Sequence, residues 1–167
     1  MSLFNPIHKS FLQALIRNHV EFLLIGGYAV ILHGADRTTS DIDLLISPKK
    51  ENGKKLIQTL INQGLDPGDL RPEDFEQELF LSFGFEPDAV DILTFTKGIT
   101  FDEAFLNSSN IDFDGDILKI IDIRDLIKNK LSLERTGNKA LLDKYDAAEL
   151  QRILTERENN NNVNPYS

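Results

Sequence analysis

Residues 22–46, FLLIGGYAVILHGADRTTSDIDLLI, constrain this chain more than any other stretch. Phe22 to Ile25 are apolar without alternation, as in a strand covered on both faces, and Gly26-Gly27 then lets the backbone turn with no Cβ in the way. Tyr28 to Leu32 can open a short helix whose first amides, at Gly27 and Tyr28, favour an anionic group such as phosphate. A second apolar run, Asp41-Ile42-Asp43-Leu44-Leu45-Ile46, follows a polar connection. Side chains alternate along a strand, so Asp41 and Asp43 share one face while Ile42 and Leu44 take the other. Two like charges that close call for a cation, and oxygen-only ligands suit Mg²⁺ or Mn²⁺ better than zinc. The bland alternative is the polar end of an ordinary strand after a simple glycine turn.

The rest of the chain reads as alternating helices and strands. Phe4, Ile7, Phe11, Ala14 and Leu15 recur at helical spacing and predict a helix over 6–18. Ser47-Pro48 opens a second helix with Leu56, Ile57, Leu60 and Ile61 inward and Gly64 at its end. Residues 65–78 read as a connection with one short helical turn. Leu79 to Phe85 and Ala89 to Phe95 read as paired strands around Glu86-Pro87-Asp88, with Asp91 set among Val90, Ile92 and Leu93. Asp114-Gly115 marks a hairpin at the sheet edge. Asp122 caps a helix with Ile123, Leu126, Ile127 and Lys130 on its buried stripe. A last helix over 138–156 carries Leu142, Asp146, Leu150 and Ile153 on one stripe. Residues 158–167 read as a disordered tail. The expectation is one α/β domain over 1–157, with a mixed twisted sheet flanked by helices and a C-terminal helical pair.

Composition narrows the function classes. With 27 acidic against 18 basic residues, a net charge of −9, the chain does not present a broad phosphate-tracking surface, although Arg37 could dock an RNA end locally. It has no cysteine, which removes disulfides and thiolate-bound zinc. Residues 1–6 lack the basic start and apolar core of a signal peptide, and no run approaches the roughly twenty apolar residues of a membrane span. The expected location is the cytoplasm, without membrane contact.

Gly26-Gly27, thirteen intervening residues and Asp41-Ile42-Asp43 resemble the h-G-[GS]-x(9-13)-D-h-[DE]-h signature of the DNA polymerase beta nucleotidyltransferase superfamily. The wider string GGYAVILHG…RTTSDIDLL is similar to its small prokaryotic branch of minimal nucleotidyltransferases and AbiEii-type toxins. The resemblance implies transfer of an NMP from an NTP to a hydroxyl acceptor, with two Mg²⁺ or Mn²⁺ ions held by Asp41, Asp43 and a third acid. That acid sits on a later strand in an h-[DE]-h context, which Val90-Asp91-Ile92 matches; Glu86 and Asp88, beside a proline in a turn, rank below Asp91. It also implies phosphate contacts at Gly26 and Gly27. The late K-x(4)-R…D pattern points to Lys130, Arg135 and Asp146, with Lys130 on the NTP and Asp146 in support. The alternative for Lys130 and Asp146 is a structural bridge.

Arg37 and Ser40 lie in the loop before the acids, where Arg37 neutralises a triphosphate, grips an acceptor, or stands solvated. Tyr28 either stacks on a base or fills space. His33 is not required by this chemistry and is expected at the surface. The implied partners are an NTP, a hydroxyl acceptor (small molecule, protein or RNA end) and a cognate toxin or antitoxin. A non-catalytic antitoxin or nucleotide-binding module with the same fold is the reading from a different class.

Overall fold

The computed structural model describes residues 3–162. Helix α1 (Pro6–Arg17) starts at Asn5, whose side chain accepts from the His8 amide at 2.8 Å, with Pro6 in the first turn. Strand β1 (Phe22–Ile25) is buried along its whole length and runs straight into α2 (Gly26–Leu32), so the glycines form the helix's first turn rather than precede it. Then follow β2 (Ile42–Ile46), α3 (Lys50–Asn62), a 3₁₀ turn (Pro72–Glu76), β3 (Phe80–Phe83), β4 (Val90–Leu93), α4 (Phe101–Asn107), β5 (Ser109–Phe113), β6 (Asp116–Ile120), α5 (Ile123–Ser132) and α6 (Gly137–Asn162).

The strands form one mixed sheet in the order β3-β4-β2-β1-β6-β5. β2 is antiparallel to β1 and parallel to β4, and β1 is parallel to β6, so the chain's central strands come from distant segments. Strand alternation divides the core into two layers. Phe22, Leu24, Ile42, Leu44, Val90 and Ile92 join Leu12 and Leu15 of α1 and Leu56 and Leu60 of α3 on one side. Leu23, Ile25 and Leu45 join α2, α4, α5 and α6 on the other. Asp43 and Asp91 have the parity of Leu45 and Leu93, which places them on the α5–α6 side. Phe75 of the 3₁₀ turn is fully buried against Gly53, where a Cβ would come within 2.3 Å of its ring.

Several expectations need correction. Ile7, Ile61 and Leu142 face outward, and α1 buries His8 and Leu12 in the positions the stripe required. β3 and β4 are four residues each, shorter than expected. Helix α4, with Phe101 and Ala104 buried, has no counterpart in the sequence reading. α6 continues through Asn162, so residues 158–162 are helical rather than a disordered tail; residues 163–167 lie outside the described residues. Among the described residues no helix is long and apolar enough to cross a membrane.

Candidate functional site

The two glycines are required by what packs on them. Gly26 has φ +69°, and a Cβ there would lie 2.1 Å from Oδ2 of Asp43. A Cβ on Gly27 would lie 2.7 Å from Thr39 Oγ1 and 3.1 Å from Arg37 Nη2. Only glycine allows the β1–α2 turn to come this close to the acidic strand and to the loop before it. Any anion approaching the turn therefore shares it with Asp43 on one side and the Arg37 guanidinium on the other.

Asp41 immediately precedes β2 and Asp43 lies within it. Register pairs Asp43 with Asp91 across parallel β2 and β4, so the two carboxylates project side by side from adjacent strands. The charges are felt. Burial first, and then the Asp91 and Asp41 carboxylates, push Asp43 up to about 7, against the opposing pull of Lys130 and Arg135. Asp41 is raised chiefly by burial, then by Glu86 and Asp91, while a 3.3 Å hydrogen bond from Ser40 Oγ works the other way. Asp91 accepts from Ser82 Oγ of β3 at 2.7 Å. Of the rival third acids, Asp88 accepts from Asn5 Nδ2 at 3.1 Å, and Glu86 is exposed in the turn near Asp41.

Above these acids lies a buried network of cations and carboxylates. Lys130 Nζ lies 3.3 Å from Asp143 Oδ1 and 3.0 Å from Asp146 Oδ2. Arg37 Nη1 donates to both oxygens of Asp146, at 2.8 and 2.7 Å, pinning the 33–41 loop to α6. Arg135, in the α5–α6 connection, donates to Asp143 through Nε at 2.7 Å and through Nη2. Burial works against ionisation of Asp143, yet Arg135 and Lys130 together hold it below the usual carboxylate range. Asp143, and Arg135 as its partner, are thus central to the site. Asp143, Asp146, Ala147, Leu150 and Ile153 or Leu154 keep the three-four helical period, so the spacing could have marked Asp143 in place of Leu142.

The remaining candidates separate. Tyr28 is buried with its ring 4.9 Å from Phe4 and edge-on to His8 at 5.9 Å, so it packs in the core. His33 is buried rather than at the surface: Nε2 bonds the Ile121 carbonyl at 2.7 Å, and Arg157 donates to the His33 carbonyl at 2.7 Å. Burial lowers the His33 pKa, which favours the neutral ring.

A divalent cation fits the donor chemistry, because hard carboxylate oxygens repel one another here and Asp43 is strongly disfavoured as an anion. Among the described residues, however, no group of three His, Cys, Asp or Glu side chains is gathered tightly enough to hold one ion as they stand.

No protein-family model matches the chain. No curated protein matches it significantly. Among solved structures, the chain is similar to an antigenic nucleotidyltransferase-like protein from Paracoccidioides brasiliensis, with a TM-score of 0.53 and 14% identity over 85% of this chain and 72% of that one. At that identity the likeness is one of fold. The mixed sheet and its helices are a nucleotidyltransferase-like α/β fold.

Proposed function

We propose that this chain is a metal-dependent nucleotidyltransferase that moves an NMP from an NTP to a hydroxyl acceptor. The observation that carries the reading is the placement of Asp43 and Asp91 at one register of neighbouring parallel strands, with Asp41 two residues before Asp43, on a nucleotidyltransferase-like fold. Asp41, Asp43 and Asp91 would hold Mg²⁺ or Mn²⁺, two ions in the family pattern; when bound, the metal would neutralise triphosphate charge and the charge that develops in transfer. Gly26 and Gly27 let the phosphates approach the backbone beside Arg37. Lys130 and Arg135 balance Asp143 and Asp146 on the α5–α6 wall, and Arg37 of the 33–41 loop adds one further positive charge to face a polyphosphate.

Asp91 takes the proton of the acceptor hydroxyl as that oxygen bonds the α-phosphorus, the bond to the β-phosphate breaks, and pyrophosphate leaves. Ser82 steadies Asp91 by donating to Oδ1. Such chemistry depends mainly on positioning and charge. Within this reading the chain acts in the cytoplasm, in relation to a cognate toxin or antitoxin protein, its acceptor a small molecule, a protein or an RNA end.

A second reading has its own support. Arg37 and Lys130 are already committed to Asp146, and the acids are not preassembled, as a non-catalytic nucleotide-binding module or antitoxin would allow. Incubation with each α-labelled NTP and Mg²⁺ in a source-cell lysate separates the two. The enzyme reading expects one labelled acceptor that disappears with EDTA; NTP binding with no labelled product from any nucleotide supports the module.

A further inference from the structure

We propose that the open edge of the sheet at β3 is a docking site for an extended segment of a basic partner protein, which adds to the sheet as a further antiparallel or parallel strand. β3 is an end strand, bonded on one side only, to β4. The antiparallel ladder is anchored by the Thr94 amide on the Leu79 carbonyl, and its alternation leaves the backbone groups of Phe80 and Ser82 facing outward. Soluble proteins normally guard such an edge with charge, proline or a short bulge. Apart from the shortness of β3, four residues, this one is unguarded: residues 79–85, LFLSFGF, contain no charged side chain and no proline. Phe80 is 61% exposed and Phe85 89% exposed. The opposite edge, β5, does carry a charge, Asp112, and ends in the Asp114-Gly115 turn.

Specificity would come from the pocket at the end of the edge, lined by Ile7, Phe11, Leu65, Phe83, Phe85 and Val90. Alternate side chains of an incoming strand fall on the same face as Leu81 and Phe83 and lead into it, the usual division in strand addition between main-chain affinity and side-chain selection. Charge decides the occupant. Glu76 and Glu78 flank the apolar stretch on one side, Glu86 and Asp88 on the other, and no described residue pairs ionically with any of them. A second copy pairing antiparallel would bring Glu76 and Glu78 against the other copy's Glu86 and Asp88, between molecules each carrying a net charge of −9. An apolar strand bracketed by lysine or arginine meets the opposite condition at both ends.

The test uses a fluorescein-labelled peptide of alternating valine and threonine between lysine pairs, titrated with the full chain by fluorescence anisotropy. Three controls accompany it: the same peptide with glutamate pairs, an N-methylated version that cannot add to a sheet edge, and the Phe80→Lys chain, whose folding is checked by circular dichroism. Phe85→Lys repeats the test should Phe80→Lys fail to fold. The proposal expects saturable, salt-sensitive binding of the lysine peptide, weakened on the order of tenfold or more by N-methylation, by glutamate flanks and by either lysine substitution. Absence of binding, or equal binding of the N-methylated or glutamate peptide, would overturn it. So would a concentration-dependent dimer of the chain alone that Phe80→Lys abolishes, since the occupant would then be a second copy.

Discussion

Asp43→Asn should stabilise the metal-free protein at neutral and alkaline pH, although it removes a charge from the candidate site. In the folded chain this carboxyl is held at about 7 instead of the ordinary 3.8. A raised folded-state value means that the acid's contribution is intact below the unfolded value and is lost as pH rises through the folded one. The loss therefore accumulates between about pH 4 and pH 7 and is constant above. At about 1.4 kcal/mol per pH unit, the separation from 3.8 to about 7 corresponds to about 4 kcal/mol. Water at the partly exposed carboxyl screens some of this, which brings the expected gain for asparagine to about 2–3 kcal/mol, or roughly 5–10 °C in Tm.

The chain has no tryptophan, so urea unfolding is best followed by far-UV circular dichroism, with EDTA present, at steps from pH 4 to pH 8. Added Mg²⁺ should then narrow the gap: the wild type gains stability by mass action, by about 2.7 kcal/mol at a hundred times Kd, and the variant gains less. A variant no more stable than wild type at pH 8 in EDTA, or a gap that does not grow between pH 4 and pH 7, would refute the account of mutual carboxylate repulsion.

Lys130→Met should cost less than about 2 kcal/mol, because Asp143 keeps Arg135 and Asp146 keeps Arg37, yet NTP affinity measured by calorimetry should fall. Asp146→Ala strands the largely buried Arg37 and leaves Lys130 with Asp143 alone, and should cost about 3 kcal/mol or more in urea unfolding. Gly26→Ala places a methyl against the Asp43 carboxylate at a positive φ, and should lower stability by more than about 2 kcal/mol in the same assay.

What the sequence disclosed was what is local. The β1 run, the glycines, the acids of β2, the hairpin at Asp114-Gly115 and the Asp122 cap each depend on neighbours within a few residues. Each lies within a residue or two of where the pattern put it, the glycines inside the first turn of α2 and Asp41 just ahead of β2. The buried stripe of α5 was equally legible, Lys130 included, because one helical period links all its members. Non-local determinants were not. Asp143 looks like a surface acid until Arg135 and Lys130 are placed around it, and a hydrophobic reading of α6 chose exposed Leu142 instead. His33 is drawn inside by the Ile121 carbonyl 88 residues away and by Arg157, contacts that no local pattern announces. Helix α4 buries only Phe101 and Ala104, too few positions to produce a period. Arg37 was legible as a charge beside the acids, but its attachment to Asp146 on α6 spans 109 residues.

The most direct test of nucleotidyl transfer compares wild type and Asp91→Asn with an α-labelled NTP, Mg²⁺ and the labelled acceptor once identified. Asparagine keeps the shape and removes only the charge and the basic oxygen. The account predicts Mg-NTP affinity within roughly 1 kcal/mol of wild type and transfer slower on the order of a hundredfold or more, as loss of a general base and a metal ligand together requires. Full transfer by Asp91→Asn would contradict it and remove Asp91 from the third carboxylate's place.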